Sequence, residues 1–172
     1  QWARVIEPVL VQGHDALVMA FSSGLSTTYQ SAVIASQELS EKYPDRKIIC
    51  VDSMRYSTAL SMLVIAAAVK RQEGATLEET AEFVDKNKHC LHQIGPMDDL
   101  FFLCKTGRIS NFKAFFGTLV GINPMADFNR GGLSEVLGKF KGKKLAFDAA
   151  IKYMHKTIKN PQEQIIFVTH SN

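Results

Sequence analysis

Cysteine is scarce in this 172-residue chain: Cys50, Cys90 and Cys104 are widely spaced and form no CxxC pair. An odd, scattered set excludes a secreted disulfide framework and suits a reducing cytoplasm. Long apolar runs are also missing. The longest weakly polar stretch, Ala59 to Val69, falls short of the roughly 20 residues a membrane-crossing helix needs. No basic segment followed by an apolar one opens the chain, so no secretory leader is read at its start. Nor is there an excess of one charge: 20 Lys and Arg against 17 Asp and Glu leave a net charge of +3. That is too little for a strong general field toward nucleic acid or anionic lipid.

The rest of the composition is that of a globular protein, 46% apolar and 22% charged. This excludes a disordered tail, a collagen-like rod and a coiled coil. A chain of this length buries roughly two-thirds of the surface its unfolded form exposes, and needs no disulfide to fold. It opens on Gln1-Trp2 and stops just after an apolar run, so both ends read as cut.

Ala16 to Phe21 is almost wholly apolar, the pattern of a strand covered on both faces. The polar turn Ser22-Ser23-Gly24-Leu25-Ser26 follows, then a helix from Thr27 to about Tyr43, with Thr27 and Gln30 spaced as a capping box and Pro44 as the stop. Lys47 to Asp52 reads as a second buried strand, Ser57 to Gln72 as a helix apolar nearly all round, and Gly74 as its C′ residue. Thr76 and Glu79 form another capping box, opening a helix to about Asn87. Strand, turn, helix, strand, helix predicts a parallel sheet with covering helices.

The texture changes after about Gly95. Leu100 to Lys105 fits a short helix or a strand; Ser110 to Val120 is Phe-rich and helix-like; Ile122 to Phe140 fits a hairpin turning at Asn129 to Gly132. Lys143 to Lys159 has helical periodicity, and Gln164 to Thr169 reads as a last strand. The expected organisation is an α/β lobe over residues 1–95 and part of a second, α+β lobe over 96–172.

The Ser turn is the most informative local feature. A buried strand feeds it and a helix leaves it, so hydroxyls, free N–H groups and the positive end of the helix dipole converge there. That makes a candidate anion site for a carboxylate or a phosphate, although Ser and Gly in such turns also serve simply as turn formers. A nucleophilic role for Ser23 or Ser26 has weaker support. Gly24-x-Ser26 lacks the closing Gly of a hydrolase elbow, and none of the five His is spaced to name a base. No phosphate-binding P-loop is present. His89-Cys90-Leu91-His92 has metal-binding residue types but no second pair, and reads better as a strand with His on its surface. Lys139 to Lys144 holds four Lys in six positions, either a solvated segment or a docking patch. Phe101, Phe102, Phe112, Phe115 and Phe116 crowd together with Leu119 and Ile122, as core or as the wall of an apolar cavity.

Taken together, these segments resemble the DegV family of bacterial lipid-binding proteins. The resemblance is carried by Phe21-Ser22-Ser23-Gly24-Leu25-Ser26-Thr27-Thr28-Tyr29-Gln30-Ser31-Ala32, by Val51-Asp52-Ser53, by Asp98-Asp99-Leu100 with Gly107-Arg108-Ile109-Ser110, by Gly121-Ile122-Asn123-Pro124 and by Lys141-Gly142-Lys143-Lys144. Thr27 and Thr106 each stand where the family has Gly. The family's opening D-S-T and T-S-Q-P segments and its closing H-x-G-x-G segment fall outside this chain, which resembles the middle of such a protein. The resemblance implies an EDD-like α/β lobe followed by an α+β lobe. It also implies one long-chain fatty acid held between the lobes and presented to a separate fatty acid kinase. The binding protein would be cytoplasmic and not itself an enzyme, with no metal, no cofactor and no nucleic-acid partner. Ser22, Ser23, Gly24 and Ser26 are the expected carboxylate contacts, with Ser23 foremost. Arg108 is assigned to the presentation surface, and Phe101, Phe115, Phe116, Leu119 and Ile122 to the tunnel wall. The alternatives are a serine hydrolase or acyltransferase, or a phosphate-binding protein, built on the same turn.

Overall fold

The computed structural model describes residues 1–97, 105–110 and 121–170. They divide into two compact units. The first takes residues 1–91 together with Arg130–Gly132, the second residues 92–129 and 133–172.

The first unit is a small α/β sandwich. Helix α1 (Trp2–Val11) leads into strand β1 (Ala16–Ala20), α2 (Thr28–Lys42), β2 (Ile48–Asp52), α3 (Ser57–Gln72) and α4 (Leu77–Asn87). β1 and β2 run parallel, in register from Ala16 opposite Ile48 to Ala20 opposite Asp52. The side-chain period of two splits β1 between two cores. Ala16, Val18 and Ala20 pack with Ile6 and Leu10 of α1 and Ala32 and Leu39 of α2. Leu17 and Met19 meet Val51 of β2, Leu63 and Ala67 of α3, and Ala81 and Val84 of α4. Burial on both faces explains why this strand carries no polar residue.

Two local features differ from the sequence reading and one matches it. α1 is an element the sequence reading did not include; its buried Ile6 and Leu10 lie one turn apart on one face. Thr27 occupies the N-cap position of α2, but its side chain makes no capping bond. The Ser26 hydroxyl, one residue earlier, accepts the Thr28 N–H at 3.2 Å instead. The Thr76 box at the start of α4 is complete: Thr76 Oγ1 accepts the Glu79 N–H, and Glu79 Oε2 accepts the Thr76 N–H.

In the second unit the strand order is β3-β5-β6-β4, where β3 is Gly95–Pro96, β4 Ile109–Ser110, β5 Ile122–Phe128 and β6 Ser134–Lys141. β5 and β6 form the expected antiparallel hairpin, with a register shift at Met125/Ala126. Helix α5 (Lys143–Thr157) packs on β3, β5 and β6. Gln164 to Thr169 is not a strand: among the described residues it has no ladder partner, and Ile165 to Val168 are exposed. An apolar run with β propensity becomes a strand only where a sheet edge accepts it. His89 likewise lies in a single 3₁₀ turn, Lys88–Cys90, rather than in a strand.

Candidate functional site

The two parallel strands of the first unit end side by side, and the loops that leave them are joined by backbone hydrogen bonds. Ser53 N–H donates to Ala20 O at 3.2 Å, and Ser22 N–H to Arg55 O at 3.0 Å. Ser53 Oγ reinforces its own loop, donating to Arg55 O at 2.9 Å and accepting the Arg55 N–H at 3.1 Å. Asp52, the last residue of β2, is 8% exposed. Its Oδ1 accepts two backbone N–H groups, Ser23 at 3.2 Å and Met54 at 3.0 Å. Met54 sits at φ +52°, a left-handed conformation that a non-glycine residue adopts only when its surroundings impose it. The buried Arg55 guanidinium braces this corner through Nε to Leu91 O at 2.9 Å and Nη1 to Met54 O at 2.7 Å.

The Ser turn is closed around Ser22, which is fully buried. Its hydroxyl donates to Gly132 O at 2.8 Å and accepts the Gly24 N–H at 3.3 Å. Its carbonyl accepts from Leu25 N–H at 3.1 Å and Ser26 N–H at 3.2 Å. Two glycines are sterically required here. A Cβ on Gly24 would lie 2.3 Å from Gly131 O, and one on Gly132, at φ +73°, would lie 2.1 Å from Ser22 Oγ. Ser26 Oγ is held 2.7 Å from Thr28 Oγ1.

Of the four residues read as carboxylate contacts, Ser22 and Gly24 therefore have their polar groups engaged inside the protein, and Ser26 caps α2. The Ser23 hydroxyl differs: it is partly exposed and has no hydrogen-bond partner among the described residues. Helix α2 begins at Thr28, with the Thr28 N–H taken by Ser26 Oγ. A helix N-terminus favours an anion close to it.

The other expected site residues are placed as follows. Arg108 is exposed and its Nη1 donates to Thr106 O. Ile122 opens β5 opposite Lys141 and is partly buried. Phe101, Phe115, Phe116 and Leu119 lie outside the described residues. Lys139, Lys141, Lys143 and Lys144 are exposed, and Lys144 Nζ pairs with Asp148 at 3.0 Å. No cluster of three or more His, Cys, Asp or Glu that would hold a metal occurs among the described residues. No described helix is long and apolar enough to cross a membrane.

Two constellations were not read as sites from the sequence. One is the Asp52 bridge, whose sequence signals are an acidic residue closing an apolar strand and the Val51-Asp52-Ser53 segment of the family resemblance. The other lies in the second unit, where Asp127 is buried. Its carboxylate accepts from Gln93 N–H at 2.9 Å and Phe128 N–H at 2.7 Å, and meets His92 Nδ1 at 2.5 Å and Tyr153 OH at 3.5 Å. Burial first, and then the Asp127 charge, push the Tyr153 hydroxyl above its ordinary value. Burial also raises the Cys50 thiol above its ordinary value, partly offset by the Ser36 hydroxyl 3.0 Å from Cys50 Sγ.

Comparison with known proteins gives these parts a context. A family model described as "Uncharacterised protein, DegV family" matches residues 1–172. A DegV domain-containing protein of Clostridium perfringens is 37% identical over the whole chain, which covers 59% of that protein. Among solved structures, one described as fatty acid binding of a DegV family protein from Thermus thermophilus superposes with a TM-score of 0.79 at 30% identity, over 91% of this chain and 54% of that one. A DegV lipid binding protein from Thermotoga maritima gives a TM-score of 0.76 at 27% identity, over 91% of this chain and 52% of that one. The chain thus spans little more than half the length of these relatives.

Proposed function

The chain belongs to the DegV family, and from that membership we propose that the protein containing it binds a long-chain fatty acid with the carboxylate at Ser23. The observation that carries this reading is the Ser23 hydroxyl, partly exposed and without a hydrogen-bond partner among the described residues in the turn that leads into α2, while its neighbours are engaged in holding that turn. The description of the Thermus thermophilus relative as fatty-acid-binding supports the ligand class.

The energetics fit that ligand. Each buried CH₂ contributes about 0.8 kcal/mol, so a tail of about sixteen carbons gains on the order of ten before association costs. The head group must be hydrogen-bonded, since an unpaired buried carboxylate would cancel much of that gain. A hydroxyl and a helix N-terminus supply donors without a fixed positive charge. In this reading the protein holds the acid in the cytoplasm and presents its carboxylate to a fatty acid kinase. Phosphoryl transfer belongs to that partner.

The test is mass spectrometry of lipid extracted from the full-length protein purified under native conditions. About one fatty acid per chain is expected in the parent, and at least a tenfold smaller share in Ser23→Ala. A well-folded parent without lipid contradicts the proposal, and bound phosphate in its place would favour a phosphate-binding protein.

A further inference from the structure

Asp52 bridges two loops. One carboxylate oxygen takes the Ser23 N–H from the loop after β1 and the Met54 N–H from the loop after β2. The residues it joins come from strands whose C-terminal ends lie in register, Ala20 opposite Asp52. Ends of parallel strands are where α/β sheets commonly hold ligands. The bridge acts on the N–H side of the Ser22–Ser23 peptide, whose carbonyl is held by the Leu25 and Ser26 N–H groups. Ser23 itself makes no other hydrogen bond among the described residues, and its neighbours Ser22 and Gly24 are held within the turn. Met54, at φ +52°, is the second residue the bridge holds in place. Removing the oxygen takes away the bond on the N–H side of the Ser22–Ser23 peptide, so the backbone at Ser23 shifts and its hydroxyl moves with it.

We infer that Asp52 is a positioning residue for ligand binding: by bridging the Ser23 and Met54 amides it sets where the Ser23 hydroxyl points. The inference rests on the fatty-acid reading of the Ser turn. It goes beyond that reading by assigning the affinity of the site in part to a residue that does not touch the ligand. It also separates the geometry of Asp52 from its charge. An asparagine in the same place keeps an oxygen at Oδ1 for both amides, whereas a serine is too short to span them.

The test is a double-mutant cycle in the full-length protein, with oleate binding measured by isothermal titration and folding checked by thermal melting. The proteins compared are the parent, Ser23→Ala, Asp52→Ser, Asp52→Asn and Ser23→Ala/Asp52→Ser. Asp52→Ser is expected to weaken oleate binding at least tenfold in the parent background but less than twofold when Ser23 is already alanine. Asp52→Asn is expected to stay within about threefold of the parent. If Asp52→Ser does not fold, Asp52→Asn and Asp52→Glu replace it. The shorter amide then retains affinity, and the longer acid, which displaces both amides, loses it. Equal losses in the two backgrounds would make Asp52 a general structural residue and overturn the inference while leaving the fatty-acid reading intact. Parent-like binding by Asp52→Ser, or by Asp52→Glu where that pair is used, would overturn it as well. Loss of binding in Asp52→Asn as large as in the disruptive variant would assign the effect to charge and overturn the positioning role. A parent protein that does not bind oleate, or a Ser23→Ala variant that binds it undiminished, would instead overturn the fatty-acid reading on which the inference stands.

Discussion

Gly132 shows how narrowly the Ser turn is specified. Its carbonyl receives the Ser22 hydroxyl, its φ is +73°, and an added Cβ would meet both Ser22 Oγ and Met54 Sδ. Gly132→Ala combines a left-handed backbone with a buried clash against a residue that cannot move away, so it is expected to cost about 2–4 kcal/mol. Urea unfolding of the parent and the variant measures this, and a loss below about 0.5 kcal/mol would contradict the geometry. The sequence pointed to the turn itself, because Ser and Gly between a buried strand and a helix mark either a turn former or an anion site. It did not point to the division of labour among the serines. Ser22 and Ser23 are adjacent and chemically identical, and only the position of Gly132, 110 residues away in the chain, engages one hydroxyl and leaves the other open.

At the scale of elements, the capping of α4 was legible and the capping of α2 was not. Thr76 and Glu79 bond reciprocally, as their spacing predicts. Thr27 and Gln30 have the same spacing, but the chain enters α2 through Ser26, whose hydroxyl reaches the Thr28 amide first. The β1–β2 pair, α3 and the β5–β6 hairpin were also readable, because apolar runs and Gly-rich turns are local signals. Helix α1 carries a clear apolar stripe, yet only packing under β1 turns that stripe into buried core. Thr76→Ala is expected to destabilise the chain by about 1 kcal/mol at neutral pH. The Thr76 N–H first, and then its hydroxyl, hold the Glu79 carboxyl below its ordinary value. A lowered carboxyl contributes stability that is complete above its unfolded value and is lost as pH falls through the folded one. Thermal melts of parent and variant are therefore expected to differ most at neutral pH and to draw closer in acid, where the parent's hydroxyl loses its bond to the Glu79 anion but still caps the Glu79 N–H. A gap that stays constant into acid would contradict a role for the Glu79 anion.

The whole molecule assembles its site from distant pieces. Arg130–Gly132, from the turn between β5 and β6, group with residues 1–91, and Ser22 is held by one of them. Family membership follows from motifs spread along the chain, while the bonds that fix Ser23 depend on loops that sequence spacing does not bring together. In the proposed complex the fatty acid carboxylate sits against Ser23. The most direct measurement is the ¹³C NMR spectrum of carboxyl-labelled oleate bound to the full-length protein and to its Ser23→Ala variant. A bound carboxyl resonance distinct from that of free oleate, displaced when Ser23 loses its hydroxyl, is the predicted result. A bound resonance at the same position in both proteins would place the carboxylate elsewhere and contradict the claim.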